Sequence, residues 1–224
     1  MTRNAGALPA ETPFAEAAAS RAYRALERMI VTLELPPAST TTEGALIDML
    51  ALGRTPVREA IQRLAWEGLV AVRPRAGLEI APLDAADWPL VVDARAGVEA
   101  VLARSAARHI SGEAAERLRE ASGTMGEAVA GRDVLAFLAA DKLLDEVIAD
   151  AADNAFAARV AAPLQTHSRR FWFRYQSGTG LAQSAAHHMR LIKAILDRDE
   201  WQAGREAERL MAMLRGLADQ AARR

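Results

Sequence analysis

The sequence contains no cysteine, and aromatic side chains make up only 5% of its 224 residues. The absence of thiols excludes disulfide bonds and thiolate metal sites, and it agrees with a reducing compartment. No apolar run approaches the ~20 residues that a membrane helix needs, and the first residues lack the charged-then-apolar pattern of a secretory signal. We therefore expect a soluble, cytoplasmic protein with no membrane partner.

A large excess of either charge is also absent, since the formal net charge is -1 at pH 7. A uniformly basic chain is thereby excluded, but binding to a phosphate backbone needs only a local basic patch. Residues 54–75 provide such a patch, with five arginines against two glutamates. The length suffices for a small domain followed by a larger one.

The apolar residues of segment 54–70 recur at the spacing of one buried helix stripe. Val57, Ile61 and Leu64 form this stripe, and Gly68 stands where it can end the helix. The other face carries Arg54, Thr55, Arg58, Gln62 and Arg63. Arginine and threonine in the first turn of such a helix favour contacts with guanine edges and phosphates in a DNA major groove. An ordinary solvated helix face is the alternative that this segment alone leaves open.

Elements of a winged helix-turn-helix are predicted on both sides of this helix. The pattern indicates helices over 22–33 and 43–50, a tight turn over 51–53, and strands over 69–72 and 78–81. A basic turn with Arg73, Arg75 and Gly77 joins the two strands. Three helices followed by a two-stranded wing are typical of a DNA-binding domain.

A longer motif runs through the same region without a gap. It comprises Pro37, Glu43, Leu46, Leu50, residues 54–60 (RTPVREA), Leu64, residues 67–70 (EGLV) and Gly77. This motif resembles the DNA-binding domain of the GntR family of bacterial regulators. The resemblance implies a DNA interface formed by Arg54, Thr55, Pro56, Arg58, Arg63, Arg73, Arg75 and Gly77.

Five positions depart from the family motif, among them Ala51 and Leu52 in the tight turn. Ala38 replaces a glycine, Gly44 stands where an arginine often contacts DNA, and Gly53 stands where the family has a hydroxyl side chain. Because the changes at Gly44 and Gly53 each remove a DNA contact, we expect the operator to differ from those common in the family.

From residue 87 onward, long alanine-rich segments with helical periodicity replace the alternation of strands. The spacing predicts helices over 86–109, 112–130, 133–151, 154–175, 181–198 and 200–222. The predicted fold class is therefore mainly α, with an N-terminal winged helix-turn-helix followed by an all-α antiparallel helical bundle.

The helical part carries a second, looser motif, which comprises Arg95, Glu99, Asp141, Asn154, His188 and Ala194. It resembles the FCD effector domain of the FadR-like branch of the GntR family. The resemblance implies a homodimer that binds a roughly palindromic double-stranded DNA operator and responds, as a repressor, to a small organic acid. It divides the chain into a flexible extension (1–18), a winged helix-turn-helix DNA-binding domain (19–82), a linker (83–86) and an effector-binding and dimerisation domain (87–224).

Many FCD domains hold a divalent metal with one aspartate and three histidines. The four corresponding positions are Asp141, Asp145, His188 and Leu210, and a leucine cannot bind a metal. One alternative is that the other three side chains hold one divalent manganese, zinc, nickel or magnesium ion. Two carboxylates suit manganese or magnesium better than zinc. The other alternative is that both aspartates pair with arginines and that His188 is hydrogen-bonded.

The resemblance and the predicted helices also suggest an effector site. We expect Arg95, Arg169 and Arg170 to hold an organic acid through their guanidinium groups, and Trp172 to line the cavity. The alternative is that the arginines form a polar helix face and that Trp172 packs in the core. Trp88 is expected to pack at the domain interface, and Trp66 in the core of the winged helix.

Two other classes of protein stay open at this stage. One is an enzyme whose helical domain carries a hydrolytic metal centre, and the other is an architectural DNA-binding dimer without an effector. The sequence has no glycine-rich phosphate loop, no H-E-x-x-H motif and no nucleophile elbow. We therefore predict a DNA-binding transcriptional regulator and not an enzyme.

Overall fold

The computed structural model describes residues 17–176 and 180–223. Within them the chain forms, in order, α1 (Ala18–Val31), β1 (Thr40–Thr41), α2 (Glu43–Leu50), α3 (Arg54–Trp66), β2 (Val70–Arg73), β3 (Gly77–Ile80), α4 (Asp87–His109), α5 (Gly112–Gly131), α6 (Val134–Ala151), α7 (Ala155–Tyr175), α8 (Gly180–Leu196) and α9 (Glu200–Ala222). The predicted fold class is confirmed. Residues 1–16 of the predicted N-terminal extension lie outside the described residues.

Helices α1 to α3 and the strands enclose one hydrophobic core. Val57, Ile61 and Leu64, the stripe predicted for α3, are each at most 5% exposed, and they belong to the same cluster as Leu26 and Ile30 of α1. Since this stripe fixes the rotation of α3 about its own axis, the polar residues between its members are turned to the outside. The helix-turn-helix prediction is confirmed.

The wing is a three-stranded sheet in the order β1-β3-β2, whereas the sequence predicted two strands. The additional strand β1 pairs antiparallel with β3, with Thr40 opposite Glu79 and Thr41 opposite Leu78. Gly77 begins β3 with φ 89°, and a Cβ atom placed there would lie 2.6 Å from the Thr41 carbonyl oxygen. The glycine is therefore required both by its backbone conformation and by the close approach of β1.

A second hydrophobic core lies within the bundle formed by α4 to α9. Leu102, Phe137, Ile195 and Leu214 are among its members, and Val31 at the end of α1 belongs to the same cluster. The two cores therefore meet at α1. None of the helices in the described residues has the length and apolar character needed to cross a membrane.

The two tryptophans singled out from the sequence behave differently. Trp88, near the start of α4, is fully buried and stacks on Phe171 and Tyr175 of α7 with ring centroids 6.0 and 6.1 Å away. Trp66 is 80% exposed, so the prediction that it packs in the winged-helix core is wrong. It is the last residue of α3, and Leu64 and Leu69 fill the core at that end of the helix.

Replacing Gly77 by alanine is expected to destabilise the winged helix by about 1–3 kcal/mol, because the new Cβ clashes with the Thr41 carbonyl and the positive φ strains an L residue. Urea unfolding of the full chain measures the change. The matched control is Gly123→Ala in α5, where a Cβ meets nothing within 4 Å and the substitution should raise stability. Equal stability of wild type and Gly77→Ala would contradict the strain argument.

Candidate DNA interface and effector pocket

The first turns of α3 present an exposed basic face. Arg54, Thr55 and Arg58 are all exposed, and Pro56 is half-buried in the first turn, where its missing N–H costs nothing. Arg58 Nε lies 3.5 Å from Glu43 Oε2 at the start of α2, in an ion pair whose arginine side chain is 58% exposed. Because such an exposed pair is weak, it leaves this face able to bind phosphate at the positive end of the α3 dipole.

The turn of the wing supplies a second basic surface. Arg73 donates from Nε to Glu79 Oε2 at 2.7 Å, which holds it along the strand pair. Arg75 is exposed at the tip with φ 64°, a left-handed conformation that is uncommon for residues other than glycine. Gly77 follows at the start of β3 and lets the strand run close to β1.

The structure places Arg63 away from these basic surfaces. Its guanidinium carbon lies 3.6 Å from the centre of the Tyr23 ring, and its Nε donates to Glu67 Oε1 at 2.9 Å. Tyr23 donates its hydroxyl to the other Glu67 oxygen at 2.9 Å, and burial together with the nearby carboxylates raises the pKa of Tyr23. Arg63 is therefore held against α1 and Glu67 with its side chain 53% exposed, and its contact with DNA stays a prediction.

A small cavity lies between α4, α6, α7 and α8 of the bundle. The cavity encloses about 20 Å³, or about 310 Å³ when the open solvent at its mouth is counted, and its walls include Arg95, Asp141, Arg169, Trp172 and His188. The structure thus brings together most of the side chains that the sequence assigned to effector and metal binding.

Arg170, also assigned to the effector site, does not line this cavity. It is fully buried and donates to the Ala81 carbonyl at 2.6 Å and to the Pro82 carbonyl at 3.3 Å, so it holds the segment that directly precedes the linker. Burial lowers the pKa of Arg170 to about 10. The prediction that it faces the pocket is wrong, because successive residues of a helix point about 100° apart and only its neighbour Arg169 points inward.

The charged side chains in the cavity are paired with one another. Arg169 Nη1 lies 2.6 Å from Asp145 Oδ2 and 3.4 Å from Asp141 Oδ2, and His188 Nε2 lies 2.9 Å from Asp141 Oδ1. His188 Nδ1 is 2.8 Å from the Ser184 carbonyl oxygen. Both imidazole nitrogens therefore face acceptors, which favours the charged, doubly protonated ring.

These contacts shift the pKa values of His188, Asp141 and Asp145. Burial alone would lower the pKa of His188, but the hydrogen bond and charge of Asp141 outweigh it and raise that pKa. Burial tends to raise the pKa of Asp141, yet His188 and Arg169 hold it far below its usual range. Burial and the neighbouring Asp141 charge raise the pKa of Asp145 to about 7.

The side chains present do not fit a divalent metal. Arg169 takes the Asp145 oxygen, His188 is bonded to Asp141, and Leu210 is 4% exposed in the bundle core. In the described ranges no group of three or more His, Cys, Asp or Glu side chains is arranged to hold a metal ion. Of the two arrangements that the sequence left open, the structure has the ion-paired one.

The other predicted pocket residues also have partners. Arg95 is buried, with Nη2 2.7 Å from Glu99 Oε1, and Gln165 donates to the same oxygen at 3.2 Å. Trp172 donates from Nε1 to Ser184 Oγ at 2.9 Å and is 4% exposed. Trp172 therefore both packs in the core and forms part of the cavity wall.

Sequence reasoning missed the contacts between α7 and the winged helix. Glu27 of α1 is 2% exposed, accepts from Thr166 Oγ1 at 2.6 Å, and pairs with Lys142 Nζ at 2.8 Å. His167 Nε2 donates to the Glu67 carbonyl at 2.9 Å, at the end of α3. The one available signal was Glu27 itself, a charged residue within the apolar stripe of α1.

Comparisons with known proteins identify the family. The model described as "Bacterial regulatory proteins, gntR family" matches residues 18–80, and the model described as "FCD domain" matches residues 90–213. The chain therefore belongs to the GntR family of bacterial regulatory proteins, in the group with a C-terminal FCD domain. It is a DNA-binding transcriptional regulator, and the family is not one of enzymes.

Individual relatives agree with this assignment. An uncharacterized HTH-type transcriptional regulator of Agrobacterium vitis is 31% identical over 132 residues, which are 58% of this chain and 77% of the relative. A protein of Paenarthrobacter nicotinovorans named "Probable D-xylose utilization operon transcriptional repressor" is 28% identical over 161 residues, 72% of this chain and 71% of the relative. The solved structure of E. coli McbR/YncC has a TM-score of 0.78 at 15% identity, covering 91% of this chain and 98% of its own, and shares the fold.

The contact of His167 predicts a pH dependence of stability. Burial lowers the pKa of His167, which outweighs the opposite effect of its bond to the Glu67 carbonyl. The unfolded chain therefore takes up this proton first as the pH falls, so the contribution of His167 is present above about pH 6.5 and is lost below that value. The free energy of unfolding should fall more for wild type than for His167→Gln between about pH 7.5 and about pH 5.5.

The measurement is the difference between the two proteins at one fixed protein concentration. The raised pKa of His188 acts with the opposite sign, and it cancels in this difference because both proteins contain it. Parallel pH profiles of the two proteins would contradict the role given to His167.

Proposed function

We propose that the protein is a ligand-responsive repressor, whose exposed basic turn on α3 reads a roughly palindromic DNA operator and whose FCD cavity binds a small organic acid. The observation that carries this function is the joint exposure of Arg54, Thr55 and Arg58 at the start of α3, beside the basic tip of the wing. A relative that bears the name of a transcriptional repressor supports the sign of regulation. The DNA partner assigns the protein to the bacterial cytoplasm.

The proposed DNA contacts are Arg54, Thr55, Arg58 and the wing residues around Gly77. Gly44 and Gly53 are exposed in the same region and have no side chain that could contact DNA. This supports an operator that the protein recognises through fewer contacts than are common in the family. Residues 19–82 form the proposed DNA-binding domain, residues 83–86 the linker, and residues 87–224 the domain for effector binding and dimerisation.

Replacing Arg54 and Arg58 together by alanine should weaken binding to a fragment of the protein's own promoter by roughly 30-fold or more, since each good arginine contact with a base contributes about 1–3 kcal/mol. Fluorescence anisotropy at fixed salt measures the affinity. The control removes two arginines from the distant helix α5, Arg117 and Arg119, and should leave the affinity unchanged. Equal affinities of the two double variants would refute the assignment of the interface.

The cavity supports a small carboxylate as the effector. Arg95, Arg169 and the charged His188 ring all line it and are the kind of donors that bind a carboxylate in a water-poor site. The enclosed space of about 20 Å³ has room for about one water molecule, so an acid has to displace side chains of the cavity wall in order to bind.

Thermal unfolding with acetate, succinate, citrate and gluconate tests this part. A binding acid should raise the melting temperature by roughly 5 °C at about one hundred times its Kd. The shift should disappear in Arg95→Gln and persist in Arg104→Gln, an exposed arginine of the same helix that pairs with Glu208. No shift with any acid, or an equal shift in both variants, would count against this cavity as the effector site.

Helix α4 supports a homodimer. Leu90, Ala94, Gly97 and Val101 lie along one exposed side of α4, and a Cβ at Gly97 would meet nothing within 4 Å. Such a stripe of apolar and small side chains suits close packing against a second copy. Analytical ultracentrifugation should find Val101→Glu monomeric and the control Leu135→Glu, at another exposed apolar residue, dimeric; two dimeric variants would argue against this surface.

A further inference from the structure

Arg169 lies in a buried ionic network that joins the bundle cavity to α1. Its Nη1 atom is 2.6 Å from Asp145 Oδ2 and 3.4 Å from Asp141 Oδ2. Its Nη2 atom is 3.8 Å from Glu27 Oε1 and donates to Thr166 Oγ1 at 3.3 Å, and Thr166 in turn donates to Glu27 at 2.6 Å. The two ends of one guanidinium therefore face carboxylates from different parts of the chain.

We propose that Arg169 is the resident cation of this cavity, in the position that a divalent metal would take, and that it couples the cavity to the DNA-binding domain through Glu27. The regulatory part of this inference rests on the proposed function. A ligand that displaces Asp141 or Asp145 from Arg169 changes the position of the guanidinium group and the net charge around it. Both changes act on Glu27, which is paired with Arg169.

The distances explain why Arg169 excludes a metal. A transition metal bound by Asp141 and Asp145 would need an oxygen of each at roughly 2.0–2.2 Å, but Nη1 already lies between these two carboxylates. Both aspartates also have a cationic partner already, since Asp141 faces Arg169 and His188, and Asp145 faces Arg169. Two further positive charges would lie beside a fixed guanidinium and would be repelled by it.

The burial of Glu27 explains why the coupling reaches the DNA-binding domain. A carboxylate that is 2% exposed depends on its cations, and Lys142 and Arg169 supply them from α6 and α7. Leu26 of α1 and Leu64 of α3 also belong to one buried hydrophobic cluster. A change at Arg169 is therefore passed to the helix that supports α3.

A double-mutant cycle between Glu27→Gln and Asp145→Asn tests the coupling without any ligand. No hydrogen bond or ion pair joins these two side chains directly among the described contacts, and both pair with Arg169. Operator affinity, by anisotropy, and the unfolding equilibrium constant are measured for wild type, both single variants and the double variant. We expect both quantities to deviate from additivity by roughly 2- to 100-fold, because each substitution changes what Arg169 offers the other residue.

Two controls separate a path through Arg169 from direct repulsion between the carboxylates. The same cycle in an Arg169→Met background should be additive. If Arg169→Met fails to fold, the cycle is repeated with Arg169→Lys, which keeps the charge but has no planar guanidinium with two donor ends, and the deviation from additivity should be smaller. A cycle of Glu27→Gln with Asp150→Asn, an exposed aspartate that pairs with Arg117, should be additive. Additivity in the main cycle, or coupling that persists without Arg169, overturns the proposal.

The readouts also separate this inference from the proposed function. A structural role alone would make the unfolding constants non-additive but leave the effects on operator affinity additive, and that result overturns the regulatory part. If wild type fails to bind its promoter fragment at all, the proposed function fails, and the unfolding cycle still decides whether Arg169 links Glu27 to Asp145.

Metal titration tests the other half of the proposal. By isothermal titration with Zn²⁺ and Mn²⁺, wild type and Leu210→His should show no binding at this site. Leu210→His combined with Arg169→Leu should bind the metal, with an affinity ~10-fold or more above the detection limit that applies to Leu210→His alone. Adding Asp141→Asn to the combined variant should abolish the signal, which separates this site from surface histidines. Metal binding by wild type that Asp141→Asn removes, or equal behaviour of the two Leu210→His proteins, overturns the assignment of Arg169 as the resident cation.

Discussion

The relative placement of the winged helix and the bundle depends on one buried carboxylate, that of Glu27. Burial would raise the pKa of this group, but the charges of Lys142 and Arg169 and the hydrogen bonds from Lys142 and Thr166 lower it, so it stays charged inside the interface. Losing a partner would leave an uncompensated charge away from water, which is strongly destabilising. Because Lys142 and Arg169 lie on α6 and α7, α1 is held against both helices, and α3 is held through α1.

Helix α7 contacts both the winged helix and the cavity of the bundle. Thr166 contacts α1, His167 contacts the end of α3, and Arg170 contacts Ala81, just before the linker. Arg169, in the same turns, reaches into the cavity with Trp172. This segment of α7 therefore contacts the winged helix on one side and forms part of the cavity wall on the other. A shift of the segment would change both the interface contacts and the cavity.

The parts that sequence could predict are those fixed by local periodicity. The buried stripe of Val57, Ile61 and Leu64 follows from helical spacing, as does the order of helices in the bundle. Strand β1 could not be predicted, because two threonines carry no alternation and are paired only by the distant β3. Spacing gives the faces of a helix but not the residues that pack against them, which is why Arg170 was assigned to the wrong neighbours.

Leu210 and Arg169 are best understood together. Asp141 and Asp145 already have hydrogen-bonded partners in Arg169 and His188, so the site needs no further ligand from α9. A histidine at position 210 would be buried with no acceptor assigned to it, whereas a leucine contributes to the bundle core. An anionic effector cannot simply add to this paired set, because it would introduce an unpaired negative charge. It must displace a carboxylate from Arg169 or arrive with its own proton, and the first of these routes changes the partner that Glu27 depends on.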